Sequence, residues 1–250
     1  MKNEPLISVI INCYNSETFL SEAINSVLLQ TYNNLELIFW DNQSTDNSSK
    51  IIKSFNDARI KYFRSDNFTS LYEARNLALE KCSGEFITFL DSDDIWVNDK
   101  LEKQFNLYLD TKSLIIYGKY DTIDKNGIVT KNANDELYSG IITNKLLRKN
   151  PISIGAVFIH KSIFCDYSFN KNYNLIGDFD LWFRLSKNFD FSFVDSIVEH
   201  SRDHDNNTSK ILLKGWSKER RIFYLSNLSL KNIFNPFFLK FMIKTEINFL

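Results

Sequence analysis

The sequence predicts an α/β fold: a mainly parallel central sheet flanked by helices, followed by a helical C-terminal extension. Three observations predict it. Short apolar runs alternate with helix-period segments over the first 120 residues, the pattern of βαβ units. Those runs are continuously apolar, as in strands covered on both faces. Polar residues gather where the runs end.

Each element has its own signal. Leu6–Asn12 (LISVIIN) reads as a buried parallel strand. Thr18–Gln30 follows, with Phe19, Leu20, Ala23, Ile24, Val27 and Leu28 at a helical period. Leu35–Trp40 is a second strand ending at Asp41. The loop from Asn42 to Ser48 is rich in helix N-caps, so Ser49–Phe55 reads as a helix. Ile60–Arg64 is a short strand, Ser70–Lys81 a helix and Glu85–Leu90 a strand. Asp99–Leu109 is a helix and Leu114–Tyr120 a strand. The alternation then loosens. Asp124-Lys125-Asn126-Gly127 is a turn between strands, and Gly140–Arg148 reads as helical. Ala156–His160 is a strand, Asp178–Lys187 a helix and Phe191–Val198 a strand. Ser209–Leu228 and Pro236–Leu250 are the helices of the extension.

Composition narrows the class. With 250 residues the chain can bury one substantial core, and only seven Gly and three Pro argue against linkers. Cys13, Cys82 and Cys165 are far apart, with neither metal-ligand nor disulfide spacing, so each is expected to act as a small apolar residue in a reducing cytoplasm. No signal peptide or membrane-spanning run is visible. The net charge of −1 hides an asymmetry: residues 1–209 carry 22 Lys/Arg against 29 Asp/Glu, residues 210–250 carry 8 against 2. The basic tail includes Lys214, Lys218, Arg220, Arg221, Lys240 and Lys244, beside Phe237-Phe238-Leu239 and Phe241-Met242-Ile243. That mixture suits an anionic membrane surface. The alternative is a helix packed on the domain with its lysines solvated. No nucleic-acid partner is expected.

Three polar points fall at strand C-termini and can converge on one crevice: Asn12-Cys13-Tyr14-Asn15, Asp41 and Asp91-Ser92-Asp93-Asp94. Two carboxylates one residue apart are costly there unless a cation joins them, and a hard divalent ion shared with a phosphate would do so. An acidic turn capping the next helix is the plainer alternative. Neither a Rossmann glycine fingerprint nor a P-loop follows the first strand, so a nucleotide would not be held by a glycine cradle. Asp41 could accept hydrogen bonds from a base edge or ribose.

Four segments resemble family 2 glycosyltransferases with the GT-A (Rossmann-like) fold. They are Ile7-Ser8-Val9-Ile10-Ile11-Asn12-Cys13-Tyr14-Asn15, Phe39-Trp40-Asp41-Asn42-Gln43-Ser44-Thr45-Asp46, Ala74-Arg75-Asn76-Leu77-Ala78-Leu79 and Gly84-Glu85-Phe86-Ile87-Thr88-Phe89-Leu90-Asp91-Ser92-Asp93-Asp94. Their order and spacing match across residues 6–96, and more weakly to about residue 208. The resemblance implies that Cys13, Tyr14 and Asn15 line a uracil pocket, that Asp41 binds the base and that Arg75 lies against the nucleotide. It implies that Asp91 and Ser92 meet ribose or sugar and that Asp93 binds Mn²⁺ or Mg²⁺. Cys13 stands where a Thr or similar small residue is common.

The second half resembles the family less closely. Gly177-Asp178-Phe179-Asp180-Leu181-Trp182 is similar to its Glu-Asp segment, with Gly177 in place of Glu and Asp178 as the catalytic base. Asp180 and Trp182 become acceptor-side candidates. Arg202-Asp203-His204 resembles an Arg-x-His segment in which the His lies near the metal or diphosphate; Arg202 joins the acceptor-side candidates. The resemblance thus implies a catalytic domain at 1–208, with a nucleotide-binding half (1–120) and an acceptor-binding half (121–208), and an extension at 209–250. The expected activity is metal-dependent inverting transfer from a nucleotide-diphosphate sugar, a UDP-sugar, to a glycan or lipid-linked acceptor at the inner face of the plasma membrane, as in cell-surface polysaccharide synthesis. A nucleotidyltransferase, or a binding module that does not use Asp178, are the alternatives.

Overall fold

In a computed structural model, the described residues are 4–133, 136–205, 207, 210, 212, 215–228 and 235–247, with side chains as far as Ile243 in the last helix. Asn206, Thr208, Ser209 and Lys214 lie outside them, as does the side chain of Lys244.

The elements run β1 (Ile7–Cys13), α1 (Leu20–Leu28), β2 (Leu35–Asp41), α2 (Ser48–Ser54), β3 (Ile60–Arg64), α3 (Leu71–Leu79), β4 (Phe86–Asp91), β5 (Ile95–Trp96), α4 (Lys100–Thr111), β6 (Ile115–Ile123), β7 (Val129–Lys131), α5 (Thr143–Arg148), β8 (Val157–His160), α6 (Gly177–Leu185), β9 (Phe191–Arg202), α7 (Gly215–Ser226) and α8 (Pro236–Ile247). One sheet takes the order β3-β2-β1-β4-β8-β6-β9-β5, with β7 paired to β6. β1 to β4 are mutually parallel where they pair; β8 runs antiparallel between β4 and β6; β9 is parallel to β6.

Alternate residues of each inner strand face opposite layers. Ile7, Val9 and Ile11 of β1, with Leu37 and Phe39 of β2, pack under α1, α2 and α4. Ile10, Ile38 and Trp40 face the other layer, where Ala74 and Ala78 of α3, Leu181 and Phe183 of α6, Phe223 of α7 and Phe238 of α8 form one core. Both faces are covered, so the runs are continuously apolar. The extension shares this core: the Phe179 ring lies 5.0 Å from Phe223 and 5.6 Å from Phe241.

Some boundaries differ from expectation. β6 and β9 run on to Ile123 and Arg202, through polar sequence, because their polar side chains find partners: Glu199 accepts from Ser153 Oγ at 3.0 Å, and His200 Nδ1 lies 2.6 Å from Asp121 Oδ1. α5 starts at Thr143 because Gly140, at φ 77°, turns the chain sharply. The Asp124–Gly127 turn forms as expected: Asp124 Oδ1 accepts from the N–H of Asn126 (2.8 Å) and Ile128 (2.9 Å). Cys13 and Cys82 are buried and their thiols are raised by burial; Cys165 is exposed, unlike the apolar role expected of it. Among the described residues, no helix is long and apolar enough to cross a membrane.

Candidate active site

β1 feeds β2 and β3 on one side, while β4 lies on its other side. The strand order therefore reverses between β1 and β4, and a ligand crevice belongs at the C-terminal ends of those two strands. A cavity of about 840 Å³ opens there. Its walls include Cys13, Tyr14, Asn15, Arg75, Asp91, Ser92, Asp93, Asp178 and His204, nine of the residues singled out by sequence.

Register explains much of this. Asn12 pairs with Asp91 across β1/β4, and Cys13 with Asp41 across β1/β2, so the three polar strand ends lie side by side. Asn15 takes φ 50°, a conformation Asn tolerates. Its Oδ1 accepts from Thr45 N–H at 2.8 Å and its own N–H donates to Ser44 Oγ at 3.1 Å, bracing the loop after β1 on the loop after β2. Ser92 Oγ lies 2.8 Å from Ser16 Oγ and closes the third side. Tyr14 (49% exposed) and Phe68 (61%) stand at the mouth with ring centroids 4.6 Å apart.

Asp91 and Asp93 differ in surroundings. Arg75 Nη2 donates to Asp91 Oδ1 at 2.6 Å, and Arg75 is itself buried over the rings of Tyr72 (5.3 Å) and Phe169 (5.8 Å). Asp93 Oδ2 lies 2.9 Å from His204 Nε2, and Asn207 Nδ2 donates to the same oxygen at 3.5 Å. Burial, then the charge of Asp91, pushes the Asp93 carboxyl above the usual range, with His204 opposing. Asp94 is more deeply buried, and burial followed by the charges of Asp93 and Glu199 pushes it well up.

Asp178 enters from the opposite wall. Its Oδ1 accepts from the Tyr72 hydroxyl at 3.2 Å and from Phe179 N–H at 2.8 Å. Burial raises its pKa above the ordinary carboxylate value, while the charge of Arg75 works against that rise. Arg75 thus acts electrostatically on both Asp91 and Asp178.

Four candidates do not reach the cavity. Asp41 is wholly buried and points into its own loop: it accepts from Ser44 N–H (2.7 Å) and Tyr62 Oη (2.8 Å) and pairs with Arg64 at 3.5 Å. Asn42, one residue on, lines the cavity instead. The acceptor-side readings of Asp180, Trp182 and Arg202 are corrected. Asp180 is buried in an i,i+4 pair with Arg184 (2.8 Å), and Trp182 is fully enclosed by the core. Arg202 is a buried clamp. Its Nε donates to the Asp93 carbonyl (2.9 Å), its Nη2 to Glu22 (2.8 Å) and its Nη1 to the carbonyls of Asp124 and Lys125 (3.3 Å each), while its own N–H donates to Asp94 Oδ1 (2.6 Å).

Sequence reasoning missed several residues. Tyr72 sits three positions before Arg75, on the same face of α3, and that spacing was a readable signal. Phe68 had only its exposure in a loop. Glu219 had no signal: from α7 its carboxylate accepts the N–H of Asn174 (2.7 Å), Leu175 (2.9 Å) and Ile176 (3.1 Å), the residues leading into α6 and Asp178.

Among the described residues no three His, Cys, Asp or Glu side chains form a ready metal centre. The Asp91/Asp93 pair still fits a hard divalent cation, because both carboxylates line the cavity one residue apart and offer the oxygen donors such an ion takes, with His204 on the same wall. Asp93 would hold the ion, with His204 beside it.

Residues 8–168 match the profile of "Glycosyl transferase family 2". Asp178, Arg202 and His204 lie beyond the matched span. The chain is 37% identical over 189 residues to the UDP-Glc:alpha-D-GlcNAc-diphosphoundecaprenol beta-1,3-glucosyltransferase WfgD of Escherichia coli, covering 76% of this chain and 73% of that one. It is 40% identical over 161 residues to a glycosyltransferase of Haemophilus influenzae, covering 64% of each. In structure it is similar to S. aureus TarS 1–349 in complex with UDP-GlcNAc, at TM-score 0.73 and 20% identity, covering 95% of this chain and 72% of that one. That likeness bears on the fold, which is the GT-A arrangement expected.

Proposed function

The chain belongs to glycosyl transferase family 2, and from that premise we propose that it transfers a sugar, with inversion, from a UDP-sugar to a hydroxyl of a lipid-linked sugar. The observation that carries the reading is Asp178. Its carboxylate is held by Tyr72, raised by burial, and opens into the same cavity as Asp91 and Asp93. A base needs a pKa nearer the working pH than an ordinary carboxylate has, and burial moves Asp178 that way.

Asp178 takes the proton of the acceptor hydroxyl. The freed oxygen forms a bond to the anomeric carbon from the face opposite the diphosphate. The bond from that carbon to the diphosphate oxygen breaks in the same displacement, which inverts the centre. The Tyr72 hydroxyl, donating to Asp178, fixes the direction in which the carboxylate points. Cys13, Tyr14 and Asn15 line the wall offered to the nucleotide, and the Tyr14/Phe68 pair offers ring faces to its base. Asp91, held by Arg75, and Ser92 face the ribose and sugar. Asp41 acts indirectly, by fixing the loop that carries Asn42 and Ser44. Mn²⁺ or Mg²⁺ held by Asp93 would neutralise charge on the leaving diphosphate. The lipid-linked acceptor is supported by the named substrate of the E. coli relative, and it would be met at the inner face of the plasma membrane in polysaccharide synthesis.

The test is Asp178→Asn, assayed with a panel of UDP-sugars and a lipid-linked acceptor. The substitution keeps size and a carbonyl but removes the base, a role typically worth about 10²–10⁴-fold in rate. Turnover should fall by that factor while UDP affinity by calorimetry stays within about twofold of wild type. Turnover in wild type should also decline as pH falls through the raised Asp178 value. Undiminished transfer by Asp178→Asn would overturn the reading.

A further inference from the structure

α7 and α8 each bury an aromatic face and turn a different one outward. On α7, Glu219 and Phe223 point inward, while Lys218, Arg221, Ile222 and Leu225 are exposed at positions that share one helix face. On α8, Phe238 is buried while Phe237, Lys240 and Ile243 are exposed along another face. The aliphatic residues are well out in solvent: Leu225 is 58% exposed, Ile243 52% and Ile222 45%. Tyr224 stacks on Phe238 at 4.9 Å, so the two helices are neighbours.

Charge narrows the choice of partner. Among described residues from Lys210 to Ile243, Glu219 is the only carboxylate side chain, and it is buried against the entry to α6. Among the described side chains, the outward faces of these helices therefore mix cations with large apolar groups and show no acid. α5, packed on α8, adds exposed Lys145, and Lys149 at its C-cap. A surface of this kind matches a negative plane over an apolar interior. At the head of α7, Leu212 and Trp216 line the active-site cavity, so the helix that carries this surface also forms part of the cavity wall.

We propose that the outward faces of α7 and α8 dock on an anionic phospholipid bilayer and hold the cavity beside the lipid surface. The proposal deepens the reading of the acceptor as lipid-linked and rests on it. Lys218, Arg221 and Lys240 supply attraction to lipid headgroups, and Ile222, Leu225, Phe237 and Ile243 enter the headgroup boundary.

The test is sedimentation of the full chain with vesicles of phosphatidylcholine alone, or with about one third phosphatidylglycerol, alongside calorimetric titration with UDP. Binding should require the anionic lipid and should weaken steeply on going from low salt to about 0.5 M. A Lys218→Gln, Arg221→Gln, Lys240→Gln variant should lose about 100-fold in vesicle partitioning. An Ile222→Ser, Leu225→Ser, Ile243→Ser variant should also lose binding, and both should titrate with UDP as wild type does, which shows that they fold. Equal binding to neutral and anionic vesicles, or unchanged binding by the charge variant, would overturn the proposal. So would a wild-type chain that ignores vesicles but self-associates in a way the apolar variant abolishes, since the face would then join two copies. A chain that binds vesicles but not UDP would overturn the functional reading and leave the docking surface standing.

Discussion

Replacing Glu219 tests whether the extension holds the Asp178 wall in place. Its carboxylate accepts three successive N–H groups, from Asn174, Leu175 and Ile176, at 2.7, 2.9 and 3.1 Å. Residue 219 is 7% exposed and Leu175 and Ile176 are buried, so water does not readily replace it. A hydrogen bond to a charged group contributes about 1.5–3 kcal/mol, and a buried donor left unmet costs about 1–3 kcal/mol. Asn174 is exposed and can turn to water, which leaves two costly losses. Glu219→Ala should therefore destabilise by about 3–5 kcal/mol. Glu219→Gln keeps one carbonyl acceptor and should cost about 1–2 kcal/mol. Urea unfolding at neutral pH measures both. The segment leads directly into Asp178, so turnover in Glu219→Gln should fall further than UDP affinity does. A Glu219→Ala loss below about 1 kcal/mol would refute the reasoning, because the three contacts would then be replaced by solvent.

Three further outcomes follow from the same geometry. Asp93→Ala should abolish the Mn²⁺-dependent part of UDP affinity in calorimetry and leave the melting temperature near wild type; unchanged affinity would remove Asp93 as the metal ligand. Arg202→Met should cost about 3–5 kcal/mol, because it strips the clamp from the Asp93 and Asp124 carbonyls, and Arg202→Lys should not restore it, since an ammonium cannot span the forked contacts. Wild-type stability of the Lys variant in urea would refute that. Burial raises the Glu199 carboxyl from 4.5 to about 7. A raised carboxyl contributes stability that is full below the unfolded value and lost as pH rises through the folded one. Wild type should thus lose up to about 3 kcal/mol between about pH 5 and pH 8 that Glu199→Gln does not lose, and parallel pH profiles for the two would refute it.

The first half of the chain was legible because each of its signals is local. A continuous apolar run fixes a buried strand, and the residue after it must stand at the sheet rim, so Asn12, Asp91 and Asp93 could be placed without knowing any partner. Where a side chain turns after the strand ends is a tertiary matter. Asp41 and Asp91 both end strands, yet Tyr62 and Ser44 draw Asp41 into its loop while Arg75 holds Asp91 at the cavity. Trp182 shows the same limit: α6 is buried on nearly every side, so a tryptophan on it is core, and no periodicity separates that from a sugar platform. β5 spans two residues and is too short to leave a pattern. The polar end of β9 reads as loop because its strand character comes from β6 and from partners such as Ser153 and Asp121.

The wall around Asp178 depends on contacts spanning long stretches of sequence, and this changes what the C-terminal extension is for. Tyr72 reaches Asp178 across 106 positions, and Glu219 reaches Asn174 across 45. Arg75 pairs with Asp91 and its charge also acts on Asp178, so the two carboxylates share one guanidinium. The first half of the chain thus provides the proposed nucleotide wall and also the groups that surround the proposed base, Tyr72 and Arg75. α7 then braces the far side: Glu219 holds the entry to α6, Phe223 fills the core beside Phe179 and Phe183, and Trp216 lines the cavity. Removing the extension would free the residues before Asp178, open the Phe179 face to water and take away part of the cavity wall. A truncation after β9 should consequently lose transfer more completely than it loses UDP, whose proposed wall is built from β1, β4 and α3.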